Sequence, residues 1–265
     1  MPATTRYLCA IGLVASLGLC VATAGAVQHI EDNFNDNVKN PVIWVNEYSD
    51  EDGQIDETNA RLEYTSSAAP ADENMAKFGL GAALGYNDTW TLTFDAHLGD
   101  YGISGHEHDY AVELGVHVVG SGGDNGLFVS FARGEDDGGV PFFGWQAVSE
   151  QGEDEDIWHV SATQVDGSLK LVYNEDGAHL FKAYYREAGD WQAINEAIDI
   201  SGWGVASDDL FSVGLGGFDC GTGIALSDGG KIYADNFVID IVPEPTTMAL
   251  LGLGACLPLL RRHRR

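Results

Sequence analysis

The chain predicts an all-β sandwich over residues 27–242, and three observations carry that reading. Apolar and polar residues alternate with period two in several short runs, Gly/Asp/Ser-rich turns separate those runs, and the 34 glycines suit many tight turns. TWTLTFDAH is the clearest run. Trp90, Leu92, Phe94 and Ala96 share one face and Thr91, Thr93 and Asp95 the other, which puts one face in a core and one in water. YAVELGVHVV (110–119), LFVSFA (127–132) and FFGWQAV (142–148) follow, parted by GSGGDNG and RGEDDGG. IWHVSAT (157–163) and SLKLVY (168–173) flank Val165-Asp166-Gly167, where the D-G pair predicts a hairpin turn. FSVGLGGF (211–218) and KIYADNFVIDI (231–241) close the domain, and only AINEAI (193–198) reads as helix. Evenly spaced short strands predict two packed sheets.

Both ends depart from this pattern. MPATTR carries one positive charge and no acid. An apolar stretch from Leu8 to Val21 follows, then Ala22-Thr23-Ala24 and Gly25-Ala26. That order predicts a secretory signal helix over 1–26, cut by signal peptidase after Ala24 or Ala26. At the other end, Thr246 to Leu260 is uncharged and mostly apolar. Its 15 residues would make a helix about 22 Å long, short for a hydrocarbon core of about 30 Å. Gly252, Gly254 and Pro258 weaken it further. It lacks the alternation of a core helix. Arg261, Arg262, Arg264 and Arg265 form the basic cluster that stays on the cytoplasmic side of a membrane.

The order Pro243-Glu244-Pro245, short apolar helix, terminal arginines resembles the PEP-CTERM sorting signal of Gram-negative-type bacteria. The resemblance covers residues 243–265. It implies recognition by exosortase, an inner-membrane enzyme that removes the tail, with transient anchoring by a short transmembrane helix. The middle is then expected outside the cytoplasm, at the cell surface or in an extracellular matrix.

Residues 27–242 are 216 in number, enough for one sandwich with a proper core. They hold 8 of the 13 basic residues and 40 of the 41 acidic ones, a net charge of −32. Such a surface repels nucleic acid and anionic membranes. Cys9, Cys20 and Cys256 lie in the ends, so Cys220 stands alone in the middle and no disulfide is expected there. A buried thiol is its simplest status.

EDNFNDN near the start, ARLEYTS after it, IWHVSATQVDGSLKLVYNEDG and the closing YADNFVI are similar to the concanavalin A-like jelly roll, with its laminin-G and pentraxin relatives. That fold implies first and last strands side by side and a concave face that binds sugar in many relatives. Fold does not give function, so chemistry is sought separately.

The laminarinase-like relatives carry E-x-D-x-x-E on one strand, as two flanking carboxylates require. EQGEDEDIW (150–158) is the nearest run, and its glycine-interrupted acids, Glu153 and Glu155 among them, read as a solvated loop. HEHD (106–109) offers two imidazoles with no third ligand at a reliable spacing. SDEDGQIDETN (49–59) is similar to a calcium loop with Gly53 at its sharp turn. Its end positions fail, since Tyr48 and Asn59 stand where acids belong. Calcium is therefore expected, if at all, at an improvised site drawn from Asp50, Asp52 and Asp56. Trp145, Trp191 and Trp203 lie near predicted loops or strand ends, where an exposed ring can stack on a sugar; core packing is the competing use. No catalytic motif is found. The resulting expectation is an exported, non-enzymatic module that binds polysaccharide or builds the envelope. The rival class is a secreted glycoside hydrolase whose carboxylate pair the sequence does not reveal.

Overall fold

The computed structural model describes residues 27–49, 53–66, 74–99, 110–120, 125–135, 140–152, 154–195, 197–220 and 232–243. They form two antiparallel sheets packed face to face. The first runs in the order β14 (Gln192–Ala193), β13 (Leu180–Arg186), β12 (Asp166–Tyr173), β7 (Thr89–Leu98), β17 (Ile232–Val242), β4 (Arg61–Ser66), β3 (Gly53–Thr58). Beside β17 lies β1 (Gln28–Asp32), and beside β13 lies β15 (Ile198–Asp199). The second runs β11 (Asp154–Ser161), β10 (Pro141–Gln151), β9 (Asn125–Glu135), β8 (Tyr110–Val119), β16 (Leu210–Cys220), β5 (Asn74–Leu80), β2 (Trp44–Ser49), with β6 (Leu84–Gly85) beside β16. The first strand, β1, pairs with the last, β17, over Gln28–Asp32 and Phe237–Ile241, as the jelly-roll resemblance implies.

The alternation read from the sequence is the alternation of burial. In β7, residues 90, 92, 94, 96 and 98 are buried and those between them are half-exposed. In β8, Val112, Leu114, Val116 and Val118 turn to the same core from the other sheet. Aromatic rings fill the space between. Trp145 stacks on Phe131 at 3.9 Å, and Trp90 meets Tyr173, Phe181 and Phe211 at centroid distances of 5.5–6.4 Å. Each such ring removes well over 100 Å² of apolar surface from water.

Two local expectations are corrected. The runs 157–163 and 168–173 do not form a hairpin: β11 pairs only with β10, while β12 pairs with β7 and β13 in the other sheet. Val165 passes from one sheet to the other, its carbonyl accepting from the Leu98 N–H at 2.9 Å. Asp166 and Gly167 already belong to β12, opposite His97 and Ala96. Gly167 is small for packing, because a Cβ there would lie 2.5 Å from the Trp145 ring. The run 193–198 is not a helix either. Ala193 ends β14, Ile198 begins β15, and the Ile194 N–H donates to Ala183 O at 2.8 Å. Ile194 and Ile198 are both buried, so their i, i+4 spacing mimics a helical face while both serve an extended segment.

The signal segment 1–26, the HEHD run and the tail from Glu244 onward lie outside the described residues, as does the Cys220 side chain. Among the described residues no helix is long and apolar enough to cross a membrane.

Candidate ligand-binding face

The outer face of the eight-stranded sheet is where polar chemistry collects. Strand register sets the residues out in rows. The central row reads Tyr48, Lys77, Gly216, Gly115, Ser130, Gln146, His159 across seven strands. On one side of it lies Phe218, Glu113, Ala132, Gly144, Ser161; on the other, Gly214, His117, Phe128, Val148, Ile157. All of these alternate with core-facing residues, so they share the outward face.

Glycine shapes the middle of this face. A Cβ on Gly115 would sit 2.4 Å from Val129 O, and one on Gly216 would sit 2.2 Å from Ala76 O. Neighbouring strands therefore lean over these outward positions, as they do where a sheet curls toward that side and becomes concave. Ser130 is fully buried and Gln146 is 6 % exposed even though both point away from the core. Tyr48 and Ile157, at the two ends of the rows, are 50 % and 60 % exposed. The result is a floor of small and polar groups between half-exposed rings.

Glu113 lies at the centre. It accepts from the Ser130 hydroxyl at 2.9 Å and is 7 % exposed. Burial pushes its pKa up to about 7, against the opposing hydrogen bonds from Ser130 and Gln146, with the charge of Glu155 adding to the rise. His117 is shifted the other way. Burial, then the Lys77 charge, holds it down at about 4, so its Nδ1 accepts from the Lys77 ammonium at 3.0 Å. Rings flank these groups: His117 meets Phe128 edge-on at 6.0 Å, and Phe142 meets His159 edge-on at 5.6 Å. At neutral pH this face offers hydroxyl, amide, imidazole and carboxyl groups plus the Lys77 cation. That inventory suits a neutral, many-hydroxyl ligand.

The residues singled out from the sequence lie elsewhere. Trp145 is fully buried in β10, its Nε1–H donating to Glu187 at 3.1 Å, and Trp203 is 3 % exposed against Phe181. Neither has a free ring face, so the expectation that they stack on a ligand is corrected: the core needs their area. Trp191 is half-buried over the opposite sheet, with Lys170 at 4.9 Å and Arg186 at 4.5 Å from its ring centroid. Asp56 is exposed on β3 opposite Glu63, while Asp50 and Asp52 lie outside the described residues. Residues 53–58 are a strand with Gly53 in extended pairing, so a continuous calcium loop over 49–59 is ruled out. Among the described residues no cluster of three or more His, Cys, Asp or Glu stands ready for a metal. Of the acids in 150–158, Glu150 and Glu155 face each other across the β10–β11 pair and belong to a hairpin rather than a long loop.

Glu113, His117, Ser130 and Gln146 were missed. Their signal was present, since in YAVELGVHVV the positions between the core valines and leucine are Glu113, Gly115 and His117. One strand cannot reveal its neighbours, however, and the face exists only once the strand order is known.

Comparison with known proteins identifies one end of the chain and the fold of the rest. Residues 242–265 match the PEP-CTERM protein-sorting motif. The tail is a sorting signal. It marks an exported, surface-sorted protein of a Gram-negative-type bacterium, processed by an exosortase. Among curated proteins none matches the chain by sequence. Among solved structures, basic winged bean lectin with Tn-antigen is 10% identical with a TM-score of 0.55, covering 82% of this chain and 100% of that one. The CBM2 module of the evolved Dit of Lactobacillus casei BL23 phage J-1 is 10% identical with a TM-score of 0.53, covering 83% and 97%. A putative β-glucanase from Mycobacterium abscessus is 11% identical with a TM-score of 0.50, covering 80% and 98%. The sandwich thus shares the jelly-roll fold of these structures.

Proposed function

We propose that this PEP-CTERM protein is a non-catalytic carbohydrate-binding module of the cell surface or extracellular matrix. Its glycan lies along the outer face of the eight-stranded sheet. The observation that carries the reading is the row from Tyr48 to His159: a polar floor at Ser130 and Gln146, made deep by Gly115 and Gly216, between rings that present edges and faces. Sugars need both, since their hydroxyls take amide and hydroxyl partners while their C–H faces rest on rings. Signal peptidase and exosortase are its partners during export. Lectin and carbohydrate-binding-module neighbours share the fold and support the reading only at that level.

The test is titration calorimetry with soluble polysaccharides, comparing the parent with Tyr48→Ala and Gln146→Ala. We expect each variant to weaken binding about tenfold, one lost contact of ~1.4 kcal/mol, with the melting temperature kept for Tyr48→Ala. Binding that survives both changes places the glycan elsewhere or nowhere.

One observation favours a second reading. A carboxyl held near pH 7, as Glu113 is, is what a glycosidase uses as its acid. Hydrolysis also needs a second carboxylate ~5–9.5 Å away, and in the three rows described above Glu113 is the only acid. Release of reducing ends by the parent and its loss in Glu113→Gln would establish the hydrolase and remove the binder.

A further inference from the structure

A second polar cluster lies where residues 33–43 cross from β1 to β2. The loop is a chain of Asx turns. The Phe34 N–H donates to Asp32 Oδ1 (2.9 Å), Asn35 N–H to Asn33 Oδ1 (3.3 Å) and Val38 N–H to Asp36 Oδ1 (3.1 Å). It is tied down at three points. Buried Phe34 stacks with Trp44, the Trp44 Nε1–H donates to Asp32 Oδ2 at 2.7 Å, and the Ala60 N–H donates to Asn37 Oδ1 at 2.7 Å.

Glu57 points up under this loop. Gly53, Ile55 and Glu57 alternate inward on β3, so the strand that buries Ile55 also buries Glu57. Only 9 % of Glu57 is exposed, and neither of its carboxylate oxygens has a hydrogen-bond partner. The Asp36 carboxyl and the Val38 N–H lie alongside without meeting hydrogen-bond geometry, while the Asp32 carboxylate is taken up by the Phe34 N–H and the Trp44 indole. Burial above all, then Asp36 and Asp32, pushes Glu57 up to about 7. A buried carboxylate with no hydrogen-bond partner, beside the Asp36 carboxyl, is a costly arrangement that calls for a compensating group.

We propose that Asp36 and Glu57 hold a hard divalent cation, calcium by preference, which locks the β1–β2 loop onto β3. The donor chemistry selects the ion. The side chains at hand are carboxylates and asparagine amides, with no sulfur or imidazole from the described loop or β3, which disfavours zinc and copper. Two acids leave most of the shell to backbone carbonyls and water, and an irregular loop meets the tolerant geometry of calcium better than the strict octahedron of magnesium. Asp36 is exposed, so the solvent side of the site is at the loop, and a small shift of that loop would let the ion reach the buried Glu57 oxygens.

Thermal unfolding of the full chain near pH 8 tests this in three media: EDTA, about 5 mM CaCl₂, and NaCl of equal ionic strength. Calcium should raise the melting temperature by about 5 °C beyond NaCl, as a ligand of the folded state alone does when well above its Kd. Glu57→Gln keeps the shape and removes the buried charge, so it should melt above the parent in EDTA and gain nothing from calcium. Asp36→Asn, at an exposed position, should fold normally and also lose the calcium increment, which decides the matter if Glu57→Gln folds poorly. Terbium emission sensitised through tryptophan, displaced by calcium in the parent and absent in Asp36→Asn, gives a direct binding readout. Equal melting in CaCl₂ and NaCl with no terbium signal overturns the site. So does a calcium increment that persists in both variants.

Discussion

The two outer faces of the sandwich handle polarity in opposite ways. On the nine-stranded sheet, charges are spent on one another. His97 meets Asp166 at 2.6 Å and stacks on Tyr233 at 4.4 Å, while Arg61 covers the other side of Tyr233 at 3.8 Å. Asp95 accepts from both Ser168 (2.6 Å) and Asn236 (2.9 Å), and Lys170 lies over Tyr184 at 4.3 Å. The three central rows of the eight-stranded face carry only Lys77 and Glu113 as charged side-chain types, bury that carboxyl, keep the His117 imidazole neutral and leave rings at their margins. The nine-stranded face is not flat, since a concavity of about 430 Å³ opens there between Asp95, Ser168, Arg186, Glu187, Tyr233 and Asp235, but charged groups line most of it, whereas the central rows of the other face offer mostly neutral donors and acceptors. The acidity of the chain thus says little about its site, because Glu113 is the only acid in the three central rows while many of the others are exposed to solvent.

The comparison breaks first at the core that separates the faces. Trp145 lies between Phe131 and Tyr185, with centroids at 3.9 and 5.9 Å. Trp145→Ala should cost about 3–5 kcal/mol, lowering the midpoint of urea unfolding far more than any surface change. If stability is kept and polysaccharide binding is lost instead, Trp145 is a ligand platform and the core assignment fails.

The next effect is a pH dependence that the eight-stranded face should own. Glu113 titrates at about 7 in the folded chain against 4.5 for the free side chain. Between those values the folded state holds a proton that the unfolded state has released, so stability falls as pH rises from about 4.5 through about 7. It is flat on either side. The full span corresponds to about 3 kcal/mol as an upper figure. Glu57 is displaced in the same direction and adds to the decline in EDTA, whereas His117, held at about 4 against 6.5, contributes stability that rises with pH through the same window and offsets one of the two carboxyls. Urea unfolding in EDTA should therefore show a net decline of about one group's size, which Glu113→Gln should remove and His117→Gln should enlarge. A Glu113→Gln profile no different from the parent's would mean that the Ser130 and Gln146 hydrogen bonds outweigh burial at Glu113.

Much of the fold was legible because period-two burial is written residue by residue. The run 110–119 coincides with β8, and Trp90 to Ala96 share the core face as read. What failed depended on partners. Asp166-Gly167 has the composition of a hairpin turn, yet Gly167 is small because the Trp145 ring, on a strand of the other sheet, presses on it. Ile194 and Ile198 have helical spacing, yet each is buried by an extended segment. The candidate site failed for the same reason: Tyr48, Lys77, Ser130 and Gln146 become neighbours only through the order β2, β5, β16, β8, β9, β10. The tail was legible throughout, since a sorting signal is read as linear sequence.

The smallest expected effect lies on the nine-stranded face and sharpens the contrast. Asp166 is 70% exposed and His97 is 19% exposed, and their contact is short at 2.6 Å. Proximity suggests strength, but a carboxylate so open to water gains little on pairing, because solvation and salt screening offset most of the Coulomb attraction. The His97 ring is held independently by its stack on Tyr233, so removing Asp166 leaves no buried group unpaired. A double-mutant cycle with His97→Gln and Asp166→Asn should therefore return a coupling of about 0.2–1 kcal/mol, shrinking further in about 1 M NaCl, where the Debye length falls to ~3 Å. Polysaccharide binding should not change in either variant, because both residues lie on the sheet opposite the proposed groove. A coupling well above that range, or a loss of binding in Asp166→Asn, would mean that the nine-stranded face is no passive exterior and that the division of labour between the two sheets is drawn in the wrong place.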